Sequence, residues 1–204
     1  MKGTKKLLWC LAIVAMTISC QSSGKQSKTK GQNEPSVAER EAKPTINMAA
    51  YFDAALNGGI EVVQNAIKDG VDIEARNENG YTALMLAAYN GHHHIIKLLL
   101  ENGAKIDAVD GLNRSALMFA STGPFAPAVE VLIKAGADVN AIDSHENWTP
   151  VMFAAGEGQL EVIKLLVANG ADLTKLDTDG ESALDFATAN GHAETVKYLQ
   201  AQLK

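Results

Sequence analysis

The segment Thr82-Ala83-Leu84-Met85-Leu86-Ala87-Ala88-Tyr89-Asn90-Gly91 has counterparts throughout the same chain. Its alanine pair returns as Ala54-Ala55, Ala120-Ser121, Ala154-Ala155 and Ala187-Thr188, at spacings of 33, 33, 34 and 33 residues. Gly91 lies in phase with Gly58, Gly158 and Gly191, and Pro124 fills the third slot. The opening Thr82-Ala83-Leu84-Met85 is echoed by Ser115-Ala116-Leu117-Met118, Thr149-Pro150-Val151-Met152 and Ser182-Ala183-Leu184-Asp185. A second glycine series, Gly70, Gly103, Gly136 and Gly170, follows the first slot by twelve residues. So many markers held in register define an internal repeat.

Each unit has the chemistry of two short helices. A Thr or Ser opens the first, where its hydroxyl caps exposed backbone N–H groups. Paired alanines keep that helix thin, and the following glycine permits a left-handed exit. The second helix carries apolar runs such as Ile95-Ile96, Leu98-Leu99-Leu100 and Val162-Ile163, Leu165-Leu166-Val167. These faces can be buried only against a neighbouring unit, which predicts a one-dimensional stack. The pattern resembles the ankyrin repeat, a turn, two antiparallel helices and a hairpin-like loop. The resemblance covers residues 46–204 and implies an all-α ankyrin-repeat solenoid of five units: 46–78, 79–111, 112–145, 146–178 and 179–204. The first and last units read as caps. Unit three departs most, with Gly123-Pro124-Phe125-Ala126-Pro127 predicting a rigid, reshaped corner, and one extra residue falls within Asp143–Asn147.

The first twenty residues read as an address. Lys2, Lys5 and Lys6 precede an apolar run from Leu7 to Ile18, too short for the ~20 residues that span a bilayer. That layout predicts an export signal. Thr17-Ile18-Ser19-Cys20 resembles the lipobox of bacterial lipoproteins, departing at Thr17, where Leu is usual. The resemblance implies cleavage before Cys20 and its lipidation; an ordinary secretory signal with an incidental cysteine is the alternative. Residues 21–45 are polar and predict a flexible tether, with marginal helix potential at Ser36-Val37-Ala38-Glu39. Gln21 is compatible with outer-membrane sorting. The expected location is the bacterial periplasm, lipid-anchored to a membrane, with no other membrane contact.

Charge divides along the same lines. Of 18 Lys/Arg and 24 Asp/Glu, residues 1–45 hold 8 and 3, leaving 10 and 21 in residues 46–204, a net of −11. So acidic a body is a poor candidate for nucleic-acid binding, which needs phosphate-neutralising Lys/Arg. Both cysteines, Cys10 and Cys20, lie outside it, so it has no disulfide, thiolate nucleophile or cysteine-bound metal. His92-His93-His94 point in different directions on a helix start, which argues for structural roles over zinc. Gly156-Glu157-Gly158 lacks the preceding strand of a dinucleotide site, and Asp177-Thr178-Asp179-Gly180-Glu181 lacks the distal Glu of a calcium loop. Met85, Met118 and Met152 recur with the repeat and predict core packing. The expectation is a non-enzyme with no catalytic residues, no cofactor and no metal.

What remains is a surface for another protein. In ankyrin stacks the hairpin tips and the exposed side of each first helix line a concave groove. Carried over, the tips supply Arg76, Glu78, Tyr81, Leu112, Arg114, His145, Glu146, Trp148, Asp179 and Glu181. The helices supply Asn57, Tyr89, Asn90, Thr122, Glu157 and Asn190. Tyr81, Arg114, Trp148 and Glu181 share one phase and should form a row, rich in the residue types of binding hot spots. Packing beneath its own longer loop is the alternative for Trp148. The acidity favours a basic protein partner, and the export signal places it in the envelope. Inhibition of a basic cell-wall hydrolase, as in immunity or self-protection, is the leading expectation; an assembly scaffold or tether for an envelope enzyme complex is the alternative. Apart from that partner the chain is expected to be monomeric.

Overall fold

The computed structural model describes residues 46–204; the expected export signal, Cys20 and the expected tether lie outside the described residues. Ten helices occupy that stretch in five antiparallel pairs. They are α1 (Met48–Asn57) and α2 (Ile60–Lys68), α3 (Ala83–Tyr89) and α4 (His93–Glu101), and α5 (Ala116–Ser121) and α6 (Ala126–Lys134). The last two pairs are α7 (Pro150–Gly156) with α8 (Leu160–Ala168), and α9 (Ala183–Ala189) with α10 (Ala193–Gln202). First helices pack in one layer, α1 on α3, α3 on α5, α5 on α7 and α7 on α9. Second helices form the other layer, α2 on α4, α4 on α6 and α6 on α8. The result is the all-α solenoid that the repeat implies. Among the described residues the only β pairing is an isolated bridge between Val109 and Ser115.

The core follows the repeat phase. Met85, Met118 and Met152 are each 1% exposed, and Ala87, Ala120, Ala154 and Ala187 are fully buried between adjacent first helices. Burying one methionine-sized side chain is worth about 1.5–3 kcal/mol, so the methionine series is a substantial share of each junction. The cap hydroxyls act as expected: Thr82, Ser115 and Thr149 each accept the N–H three residues on at 3.4 Å. Ser182 adds the reciprocal bond, its own N–H donating to Asp185 at 2.8 Å. Among the end units, the first leaves a gap that its sequence does not announce. Val62 is 45% exposed, whereas Ile95, Ala128, Val162 and Thr195 in the same phase are at most 2% exposed. No earlier helix pair covers it among the described residues, so the capping expected of this unit stops at α1.

Side chains also stitch the units together where helix meets helix. His92 Nε2 donates to the Leu56 carbonyl at 2.9 Å, and His192 Nε2 to the Gly156 carbonyl at 2.9 Å. Asn90 and Asn190 donate to the same two carbonyls at 2.7 Å. The carbonyls belong to first-helix C-termini, which have no helical partner of their own. Room for each ring comes from a glycine. A Cβ on Gly158 would stand 2.5 Å from His192 Nδ1, and its φ is +70°. In unit three Phe125 takes the histidine's place and its ring lies over Gly91, where a Cβ would meet it at 2.3 Å. The reshaped corner is thus an aromatic plug, and Pro124 stands exposed beside it.

Two predictions arise here. Gly158→Ala combines an unfavourable backbone with a ring clash and should destabilise by about 1–3 kcal/mol in a denaturation midpoint. Tyr51 is fully buried, and its hydroxyl finds no hydrogen-bond partner among the described residues. Burial, aided by Glu74 and Asp72, pushes its phenol up to about 12. Because the folded pKa is raised above 10, the stability held by the neutral phenol is complete below pH 10 and is lost as pH rises towards 12. Tyr51→Phe should therefore raise stability by about 1 kcal/mol at neutral pH. It should also flatten the loss of stability between pH 10 and 12.

Candidate protein-binding surface

The loops between helix pairs share one mechanism. Asn77, Asp110, Asp143 and Asp177 stand in phase, and each uses its side-chain Oδ1 to accept two backbone N–H groups from the turn ahead. Three of them take the N–H groups two and four residues on; Asp143 takes those of Glu146 and Trp148, three and five residues on. The extra residue of that loop is therefore absorbed between Asp143 and Glu146. Each turn needs one left-handed residue, which Gly80 and Gly180 supply with φ +80°, and Asn113 and Asn147 with φ +59° and +60°. Asparagine tolerates this geometry better than other side-chain-bearing residues.

Neighbouring hairpins are bonded to one another. Arg76 is exposed, yet its Nη1 donates to Gly80 O at 2.7 Å and Val109 O at 2.8 Å, fastening the first hairpin to the second. The Ser144 N–H donates to the Leu112 carbonyl at 2.9 Å, with Leu112 partly buried. Thr178 donates its N–H to Glu146 O at 3.0 Å and its hydroxyl to the Glu146 carboxylate at 2.6 Å.

The expected row of Tyr81, Arg114, Trp148 and Glu181 is present in phase but differs in exposure. Arg114 requires a correction. It is 8% exposed, and its Nε and Nη2 donate to Asp110 Oδ2 at 2.8 and 2.6 Å. Nη2 also donates to the Tyr81 hydroxyl at 3.2 Å, and the guanidinium lies 4.9 Å over the Phe119 ring. Burial works against its charge, but the hydrogen bonds and negative charge of Asp110 outweigh that and raise its pKa. Arg114 is a fastener inside the surface rather than a contact upon it, because Asp110 sits four residues before it at the base of the same turn.

Trp148 is half-buried in an aromatic cluster, edge-on to Phe153 at 5.1 Å and to Phe186 of the next unit at 4.8 Å. Its Nε1 donates to Asp177 Oδ2 at 3.3 Å. It thus packs across the junction with the next unit. Tyr81 and Tyr89 are half-buried against Phe119, with ring centroids at 5.5 and 6.3 Å. Burial, then Tyr81 and Glu157, raise the Tyr89 phenol. His145 is exposed with Nδ1 3.8 Å from Glu146, Glu157 is exposed, and Glu181 is half-buried with its N–H bonded to Asp177. Of the other positions, Asn90 and Asn190 are the carbonyl fasteners described above, and Thr122 donates its hydroxyl to Phe119 O at 2.8 Å.

The row headed by Arg76 was legible only at its first member. Counting the repeat forward from Arg76 gives Val109, Ile142 and Leu176, and Ile142 and Leu176 are 40% and 55% exposed. The available signal was the phase itself, applied to apolar residues as well as polar ones. Among the described residues no three His, Cys, Asp or Glu gather as a metal site. None of the described helices is long and apolar enough to cross a membrane.

Removing the Arg114 guanidinium would leave Asp110 buried without its counter-ion. Arg114→Leu should therefore cost about 3 kcal/mol or more in chemical denaturation, consistent with breaking a buried pair. The Arg114→Leu/Asp110→Leu double variant should recover part of that loss, a coupling read from a double-mutant cycle.

Comparison with known proteins agrees with this geometry. A family model described as ankyrin repeats (3 copies) matches residues 51–143 and 124–203. An ankyrin repeat protein of Rickettsia bellii is 40% identical over 52 residues, 26% of this chain and 31% of that protein. The rat ankyrin repeat and SAM domain-containing protein 6 is 49% identical over 55 residues, 26% of this chain and 6% of that protein. A glycerophosphocholine phosphodiesterase of Schizosaccharomyces pombe is 33% identical over 57 residues, 28% of this chain and 5% of that protein. The aligned stretches are thus short parts of these relatives. With matched segments running from residue 51 to 203, the chain belongs to the ankyrin-repeat family and carries a protein-binding module.

Proposed function

We propose that this module is a non-catalytic binder of the bacterial cell envelope that grips a basic envelope enzyme, such as a cell-wall hydrolase, and blocks it. The observation that carries the reading is the −11 charge of residues 46–204 on a stack built to present hairpins. Acidic surfaces steer cationic partners and raise their association rates. Side chains that catalysis would draw on serve as fasteners instead: His92 and His192 hold carbonyls, and Ser115, Thr149 and Ser182 cap helices. Such an arrangement suits a rigid receptor. The export-type leader and Cys20 support a lipid-anchored periplasmic location, with the outer membrane favoured by Gln21. The −11 charge also disfavours self-association, in keeping with a monomer.

Two measurements test this. Purified protein should bind and inhibit a basic wall hydrolase from the same cell, more weakly as salt rises; failure to bind or inhibit any such enzyme overturns the reading. Cys20→Ala should release the protein from the membrane fraction, and unchanged membrane association would refute the anchor.

A further inference from the structure

Charge along the hairpin edge is uneven. Residues 72–81 and 105–114 hold five Asp/Glu and three Lys/Arg, whereas 138–148 and 172–181 hold seven Asp/Glu and one Lys/Arg, Lys175, with His145 counted as neutral. The last two hairpins therefore carry −6 and the preceding two −2. Hydrogen bonds from the Thr174 hydroxyl and N–H lower the Asp172 pKa, so that carboxylate stays charged.

Apolar side chains surface at the same place. Ile142 and Leu176, 40% and 55% exposed, occupy one phase on those two hairpins. Bonds on either side of them fasten the two hairpins together. Before them, Asn140 Nδ2 donates to Gly170 O at 2.9 Å and Asp172 N–H to Asn140 Oδ1 at 2.8 Å. After them, Thr178 is bonded to Glu146 through its N–H at 3.0 Å and its hydroxyl at 2.6 Å. A lone exposed leucine is ordinary, but two apolar side chains in one phase on adjacent, fastened hairpins of net charge −6 offer a partner apolar contact.

We infer that this edge, with Ile142 and Leu176 as its apolar anchors, binds a cationic polypeptide segment bearing apolar side chains of its own. The inference rests on the protein-binding reading above and specifies the partner's chemistry. Anionic ligands such as nucleic acid or acidic lipid headgroups meet the −6 edge with like charge, and so does a second copy of this chain. A cation-rich segment gains attraction from the carboxylates and burial from the two aliphatic side chains.

The test is panning of the full-length protein against a phage-displayed random peptide library. Recovered peptides should be enriched in Lys or Arg together with Leu, Ile, Val or Phe. Ile142→Ser/Leu176→Ser, with an unchanged thermal midpoint, should weaken a recovered synthetic peptide by about tenfold or more. Leu176→Ser alone serves if the double variant folds poorly. Raising salt from about 0.05 to about 0.5 M should weaken binding further. Acidic or uncharged winners, no winners, equal binding by the serine variant, or a serine-dependent loss of self-association would each overturn the inference. Peptides that bind this edge while no envelope enzyme does would refute the envelope reading alone. An envelope enzyme bound equally well by the serine variant would refute only the edge.

Discussion

Everything in this protein depends on one constraint: no helix pair can bury its own apolar face. The second helices are apolar along the side turned to the next unit, and the first helices are too thin at their alanine pairs to enclose anything. Burial arises only when a neighbour arrives, as when Met85, Met118 and Met152 reach 1% exposure between adjacent units. Stability is therefore a sum of junctions, and an end of the stack is where that sum stops. Val62, 45% exposed in a phase that is otherwise buried, shows what that face looks like where no neighbouring helix pair covers it among the described residues.

A stack held only by apolar contact would slide. Register comes from directional bonds at its two margins. On the helix margin, His92 and His192 bind carbonyls left open at helix C-termini, Gln159 reaches the Thr122 carbonyl in the same phase, and Phe125 fills its corner with an aromatic ring. On the hairpin margin, Asn77, Asp110, Asp143 and Asp177 fold each turn, and Arg76, Arg114, Trp148 and Thr178 tie one turn to the next or to its own base. Using polar side chains as ties removes them from direct recognition and makes the remaining surface stiff. A stiff receptor loses less conformational entropy when a partner docks.

The candidate surface combines these two demands. Polar residue types that usually dominate recognition, such as Arg114 and the Trp148 indole N–H, are turned to internal work. Ile142 and Leu176 stand exposed on the two hairpins that carry the greater share of negative charge. The phosphodiesterase of Schizosaccharomyces pombe, similar over 28% of this chain, shows that a stretch like this can sit within a much larger protein.

The 33-residue phase by itself determined the all-α solenoid, its methionine and alanine core and its hydroxyl caps, because each is a local or nearest-neighbour property repeated many times. The acidity of the body was equally legible, since charge is additive. The roles of Arg114, Trp148 and Val62 were not, because each depends on which groups the fold sets within 5 Å or leaves unmatched. Arg114 looks like a contact until Asp110 and Tyr81 are seen to converge on it. Tertiary structure alone decided those assignments, for burial is a property of neighbours and sequence phase names only the slot.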